Sequence, residues 1–372
     1  MRLERLQLAN FRNYTQLDLT FEKDLTVLAG SNAQGKTNIL EAIFLLSLAK
    51  SHRTNRDQEM IQWGSDHAMI EGHIRKNNYE FPLEVILHSR GKTVKHNHVV
   101  QDRLSHFVGK LNVILFAPED LQVIKGSPGQ RRRFLDAELG QSNPIYLQEL
   151  LEYQRILKTR NRYLKDYGFS SKFDSVYYDI LTNQLIEKAI KIIEFRLRFV
   201  DQLNQLASKI HYELSDHQET LLTSYQSSTR RLNYQQWDQL ADQMKTLFHE
   251  QLDQEKRQGH TLYGPHRDDL SFDLNDNPVG QFGSQGQQRT VILSIKLAEI
   301  ELLAQATGEY PILLLDDVLS ELDDRRQNIL MQKIEGKVQT FLTTASLKSI
   351  HLDELHAAEV YKINSGHVIR ES

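Results

Sequence analysis

Apolar positions change their spacing several times along the chain. Over residues 1–30 they are spaced as in strands: Leu3, Leu6 and Leu8 lead to Phe11, and Leu17, Leu19 and Phe21 alternate with polar residues. A period of two is the mark of a half-buried strand. Leu25–Ala29 then reads as a short buried strand, and Asn38–Leu46 as a helix with an apolar stripe. Residues 68–118 carry further strand-like runs, including Val85-Ile86-Leu87 and Val113–Phe116. From 134 to 257 glycine becomes sparse, and Leu181, Leu185, Ile186, Ala189, Ile192 and Ile193 recur at helical spacing. From Thr261 onward strands, turns and buried runs return, and Pro311–Leu315 is the most hydrophobic strand of all. The pattern predicts an α/β domain in two parts, 1–133 and 258–372, with an all-helical arm at 134–257 between them.

The junction between the buried strand at 25–29 and the helix after it carries the strongest chemistry. Gly30-Ser31-Asn32-Ala33-Gln34-Gly35-Lys36-Thr37 fits the phosphate-loop pattern G-x-x-x-x-G-K-[ST] at every fixed position. The glycines let backbone N–H groups curl around phosphates, and the helix dipole adds partial positive charge. Lys36 can reach the terminal phosphates, and the Thr37 hydroxyl can ligate Mg²⁺. ATP and Mg²⁺ are the expected cofactors, with Gly30 through Thr37 as the cradle.

A second signal is the strand Ile312–Leu315, which ends in Asp316-Asp317. A buried parallel strand that delivers a carboxylate at its C-terminal end can supply a Mg²⁺ ligand. Asp316 is assigned that role, together with Thr37. Asp317 is the candidate to orient or deprotonate the attacking water, with Lys36 as its catalytic companion. The third signal is Gly283-Ser284-Gln285-Gly286-Gln287-Gln288-Arg289, which opens another helix. Small residues at a helix start make a second anion site, with Ser284, Gly286 and Gln287 as its contacts. One nucleotide rarely needs two such helix starts from one chain. The economical account is that this turn caps the nucleotide held by a second copy.

Composition narrows the classes. Of 372 residues, 40% are hydrophobic and 25% charged, so a sizeable core is available and global disorder is excluded. There is no cysteine, which excludes a disulfide scaffold and a Cys-ligated metal. No signal-peptide core opens the chain and no run is long enough for a membrane, so a cytoplasmic protein is expected. The net charge of −4 gives no global argument for nucleic acid. Local clusters do: Arg131-Arg132-Arg133, and Arg155, Lys158, Arg162 and Lys165 on one helical face. Such a face can track a phosphate backbone and release its counterions, although a solvated surface has the same look. His266-Arg267-Asp268-Asp269 lacks ligand spacing for a metal and is read as structural.

Taken together, these stretches resemble the ABC-type ATPases and, within them, the recombination mediators of the SMC-like DNA-repair branch. The resemblance rests on Asn10–Tyr14, Gly35–Ile43, Lys50–Arg53, Phe116–Leu121, Arg131–Asp136, Gly264–Asp269, Ser284–Thr290 and Leu315–Asp323. It implies an ABC-type head with a mixed sheet and flanking helices. It also implies a homodimer closed by ATP, with Ser284 and Gly286 on the γ-phosphate across the dimer and Ser320–Asp323 bridging the two sites. The implied partners are DNA at single-stranded gaps and junctions, RecO and RecR, and functionally the recombinase RecA. Implied roles are gap repair, fork maintenance and SOS signalling. The sequence departs from the broader pattern in three places. Asp317 stands where most relatives carry Glu, which predicts slow hydrolysis. Thr343 or Thr344 stands where transporters place a switch His. The loop that normally gives a Mg²⁺-contacting Gln falls near Glu119–Gln122. The competing classes are a transporter subunit, a structural protein with long coiled coils and a small-molecule kinase. A transporter is disfavoured by the missing switch His, a structural SMC protein by the short arm, and a kinase by Gly283–Gln287.

Overall fold

A computed structural model describes residues 1–77, 79–347 and 358–371. The chain divides into two compact units, one of Met1–Asp120 with Ile292–Ser372 and one of Leu121–Val291.

The first unit holds two sheets of six strands each. One is antiparallel, in the order Tyr14–Thr20, Arg2–Phe11, His67–Lys76, Tyr79–His88, Gly91–His96, Val99–Val100. Its pattern of alternating burial follows from the alternation in sequence: Leu6, Leu8 and Phe11 face the core, and Leu17 and Leu19 join them from the neighbouring strand. The other sheet is built on parallel pairing, in the order His367–Glu371, Glu359–Asn364, Leu25–Ala29, Thr340–Thr344, Ile312–Asp316, Val113–Phe116. Its four inner strands are parallel, and the last hairpin returns antiparallel at the edge. Ile312–Asp316 is buried along its whole length, as expected of a strand covered on both faces. The helix Lys36–Leu48 packs Ile39, Leu40, Ala42, Ile43, Leu45 and Leu46 into this core.

The second unit contains the arm. Its longest helix, Ser175–Leu214, starts where the Asp174 carboxylate accepts the N–H groups of Val176 and Tyr177. Leu181, Leu185, Ile186, Ala189, Ile192 and Ile193 are all buried on one stripe of it. The helix Pro144–Tyr167 begins with an Asn143 cap and a proline at its first position. The arm is not all-helical. Leu221–Gln226 is a strand, and it pairs antiparallel with Asp269–Leu274, which in turn pairs with Asn277–Pro278. A six-residue strand among long helices is too short to register against a helical background. The division between units also falls at 120/121 and 291/292, where the sequence pattern places breaks at 133/134 and 257/258. The turn at 283–287 thus belongs to the same unit as the arm, and the phosphate loop to the other.

Candidate nucleotide site and the turn at Ser284

The phosphate loop is shaped from three sides. At its base, a side chain on Gly30 would meet the Ile363 carbonyl oxygen at 2.3 Å, so only glycine fits there. At its far end Gly35 has φ 116°, the region that favours glycine, and the helix starts there without a side-chain cap. Its first N–H groups are therefore left for an anion. Asn13 Nδ2 donates to the Gln34 carbonyl at 3.1 Å, and Tyr14 OH to the Gly35 carbonyl at 3.1 Å. From the C-terminal hairpin, Ser365 N–H donates to Gln34 Oε1 at 2.6 Å and Gly366 N–H to the Gln34 carbonyl at 3.2 Å.

Lys36 folds its ammonium back on the loop, donating to the carbonyls of Gly30 at 2.5 Å and Ser31 at 2.9 Å. Burial lowers its pKa, and the carboxylates of Asp317 and Asp316 partly offset this. Thr37 Oγ1 donates to Asp316 Oδ1 at 3.0 Å, bringing the two expected Mg²⁺ ligands together. Thr343 completes the group. Its hydroxyl donates to the same Asp316 oxygen at 2.7 Å and accepts the Asp317 N–H at 2.9 Å. Of the two threonines that end this strand, Thr343 is the one whose hydroxyl orients both aspartates. Thr344 instead donates to the Ser346 carbonyl at 2.8 Å, and its own carbonyl accepts the Gly30 N–H at 3.2 Å. Asp317 has φ 54°, a left-handed conformation uncommon outside glycine that often marks a functional position. Ser320 Oγ donates to its carbonyl at 2.8 Å, and Asp323 caps the next helix by accepting the Arg326 N–H at 2.9 Å. The side chain of Glu321 lies outside the described residues. Glu119 and Gln122 are both exposed.

One turn beyond Thr37 lies an ion cluster that motif reading passes over. Glu41 is fully buried and accepts both prongs of the Arg12 guanidinium at 2.8 and 2.6 Å, and the Ser51 hydroxyl. Arg53 adds a longer contact at 3.4 Å and also donates to Asn38 Oδ1 at 2.9 Å. Burial pushes the Glu41 pKa up, but these partners outweigh it and hold the carboxyl below its ordinary value. Arg12, Glu41 and Arg53 come from the stretches 10–14, 35–43 and 50–53 that carry part of the resemblance, but nothing in their spacing showed that the three meet.

The second turn is constructed differently. Ser284 N–H donates to Gln287 Oε1 at 2.8 Å, and Gln287 N–H donates to Ser284 Oγ at 3.2 Å. This reciprocal pair is a capping box. Ser284 and Gly286 are exposed, and a side chain at Gly286 would meet nothing nearer than Ser284 Oγ at 3.9 Å. The Gln287 side chain is committed to the cap and to Glu219 at 2.8 Å, which sets it apart from the phosphate contact expected of it.

The family model for the RecF/RecN/SMC N-terminal domain matches residues 2–367. The DNA replication and repair protein RecF of Staphylococcus epidermidis is 48% identical over 371 residues, covering 100% of each chain. The chain belongs to the RecF family. RecF of Oceanobacillus iheyensis is 48% identical over 98% of this chain and 99% of its own. A solved structure of the recombination mediator protein RecF with ATP in the RecFOR pathway superposes with a TM-score of 0.92 at 32% identity, covering 100% of this chain and 97% of that one. An Smc head bound to the C-terminal winged-helix domain of ScpA matches at TM-score 0.56 and 16% identity, a likeness of fold alone.

In this RecF-family chain the basic clusters split. Arg131 makes a two-pronged pair with Asp269, both contacts at 2.7 Å, and donates to the Gly126 carbonyl. Arg132 donates to the Asp268 carbonyl at 2.8 Å, and its pKa is lowered by burial. These two hold the second unit together, and only Arg133 of the triplet is exposed. Arg155, Lys158, Arg162 and Lys165 are exposed along one helix, with one ion pair among the described residues, the 3.4 Å contact from Arg162 to Asp166. His266 lies between the Tyr153 hydroxyl at 2.6 Å and the Thr261 carbonyl at 3.2 Å. Asp268 is buried, accepting Tyr225 OH, Tyr234 OH and Ser228 N–H. The 266–269 stretch is structural.

Proposed function

We propose that this chain is an ATP-dependent, DNA-binding recombination mediator of the RecF type. The observation that carries the reading is the group at the head of the helix Lys36–Leu48. An uncapped helix start, a buried Lys36 and the Thr37–Asp316 contact at 3.0 Å converge there. RecF structures with ATP support the choice of nucleotide.

The residues fit Mg²⁺. A small hard cation takes oxygen ligands, and Thr37 and Asp316 offer a hydroxyl and a carboxylate side by side. Among the described residues no group of three or more His, Asp or Glu gathers to hold a metal. That suits an ion which keeps waters and takes other ligands from phosphates. Bound there, Mg²⁺ neutralises phosphate charge. Lys36 would leave the Gly30 and Ser31 carbonyls for the terminal phosphates. Asp317 would orient the attacking water, with Thr343 holding its backbone. The short Asp side chain limits reach, so turnover is slow, and DNA stimulates it.

In this reading Ser284 and Gly286 contact the γ-phosphate held by a second copy, and two ATP molecules close a homodimer on DNA. Nucleotide then acts as a timer. ATP favours the closed dimer by differential affinity, and hydrolysis releases it. The exposed stripe of Arg155, Lys158 and Arg162 follows the DNA backbone, and Arg133 on the preceding helix joins it. The partners are RecO and RecR, for loading RecA at single-stranded gaps in cytoplasmic repair, replication and the SOS response.

Sedimentation with ATP or ADP, with and without gapped DNA, tests the reading. ATP should give a dimer and ADP a monomer. Asp317→Asn should hold the ATP dimer without turnover. A monomer under all conditions overturns the proposal.

A further inference from the structure

The turn at Ser284 is fixed by more than its own capping pair. Gln287 Oε1 faces the Ser284 N–H, so the amide nitrogen must point the other way, where it donates to Glu219 Oε1 at 2.8 Å. The two ends of an amide have nearly the same shape, and only their partners decide which is oxygen. A carboxylate can only accept. Glu219 therefore sets the direction of the Gln287 amide, and Gln287 sets the backbone of Ser284.

Glu219 is itself held. Its Oε2 lies 3.0 Å from Nε2 of His211, which is fully buried in the last turn of the helix Ser175–Leu214. Its N–H donates to Ser215 Oγ at 3.3 Å. Between them Asp216 and His217 take successive left-handed conformations, φ 54° and 63°, which reverse the chain. Two strained residues in a row are a cost that this connection bears to bring Glu219 back toward the turn. Ser284 Oγ accepts the Gln287 N–H, so its own proton is free to donate outward, from an exposed position.

We propose that Glu219 is a positioning residue for the Ser284 turn, acting through Gln287 to aim the Ser284 hydroxyl at a phosphate presented by a second copy. Glu219 touches no nucleotide. The proposal rests on the ATP-sandwich reading above.

The test compares Glu219→Ala, Glu219→Gln and the unaltered protein in three measurements: binding of a fluorescent ATP analogue at concentrations where the chain is monomeric, ATP-driven dimerisation by sedimentation, and kcat and KM for ATP. Glu219→Ala should bind the analogue normally, dimerise about tenfold more weakly, the scale of one hydrogen bond, and lose kcat rather than raise KM. Glu219→Gln keeps an acceptor for Gln287 and should recover most of the loss. The inference is overturned if Glu219→Ala dimerises and turns over normally, if it binds the analogue poorly, or if Glu219→Gln is no better than Glu219→Ala. Failure of the unaltered protein to dimerise with ATP sinks the sandwich reading itself, and this inference with it.

Discussion

Two helices, Lys36–Leu48 and Gln285–Thr307, each begin at a glycine-containing turn, but their first residues are satisfied in opposite ways. The first has no side-chain cap, and its loop is pinned from outside by Asn13, Tyr14 and Ser365. The second caps itself with Ser284 and Gln287 and leaves the space over Gly286 open. An uncapped start on a rigid loop offers several N–H donors at once and can hold an anion without help. A self-capped start has little left to offer beyond one hydroxyl proton and access. It adds to a site that already exists. Affinity should therefore live at the first turn, and dependence on a second molecule at the other.

Breaking the first turn should have the largest effect. Lys36→Ala removes the ammonium and should weaken ATP binding by about a hundredfold or more, measured by titration of a fluorescent analogue. Wild-type affinity would mean the loop grips through its backbone alone.

Breaking the second turn separates it from the first. Ser284→Arg should leave analogue binding by the monomer intact while dimerisation and hydrolysis disappear. Mixed with Lys36→Ala, it should regain partial ATPase activity, because one composite site then has an intact loop from one copy and an intact Ser284 from the other. If Ser284→Arg loses ATP binding as a monomer, both turns serve one nucleotide within a chain and the contrast between them fails.

Neither turn should be affected by changes on the arm. Neutralising Arg155, Lys158 and Arg162 together should reduce the log–log salt slope of DNA binding by about 2 to 3, with ATP binding unchanged. An unaltered slope returns this face to solvent.

The smallest effect concerns the scaffold. Burial depresses the pKa of His266 to about 4. The Thr261 carbonyl can only accept, so Nε2 carries the proton and Nδ1 accepts from Tyr153 in the neutral ring. The unfolded chain binds this proton near pH 6.5 and the folded chain only near 4, so the stabilisation is complete above 6.5 and is lost as pH falls toward 4. His52 in the other unit is lowered to about 4 by the same cause. Urea unfolding followed by tryptophan fluorescence tells them apart. Trp63 is 99% exposed and reports little, leaving Trp237 to report the second unit. His266→Gln should flatten the fall in stability below pH 6.5 seen by Trp237; an unchanged slope assigns the effect elsewhere.

The first turn was legible in sequence because its motif is local: eight consecutive residues, Gly30–Thr37, that run from the end of a strand into a helix; the side chains and hairpin that pin it from outside were not. Asp316 was legible for the same reason, at the end of an unbroken apolar strand. What reaches across the chain was not. The clasp of Thr343 on both aspartates depends on two parallel strands lying side by side. Arg131 read as a DNA contact because its partner Asp269 is 138 residues away. The strand Leu221–Gln226 was absorbed into the helical reading because its partner, Asp269–Leu274, comes after the arm. Glu219 carried no pattern at all; a lone acid in a loop has none.

The Ser365–Gln34 contact also has a consequence in time. The strand before the phosphate loop, Leu25–Ala29, lies between Thr340–Thr344 and Glu359–Asn364. During synthesis from the N-terminus, the loop sequence therefore emerges some 300 residues before the strands and the hairpin that shape it. Until residues 340–366 have emerged, the central strand lacks its two neighbours in the sheet and Gln34 keeps only the contact from Asn13. Nucleotide capture should thus appear only once residues near 366 have emerged, and a chain cut short in the arm should carry the complete phosphate-loop sequence without the ability to use it.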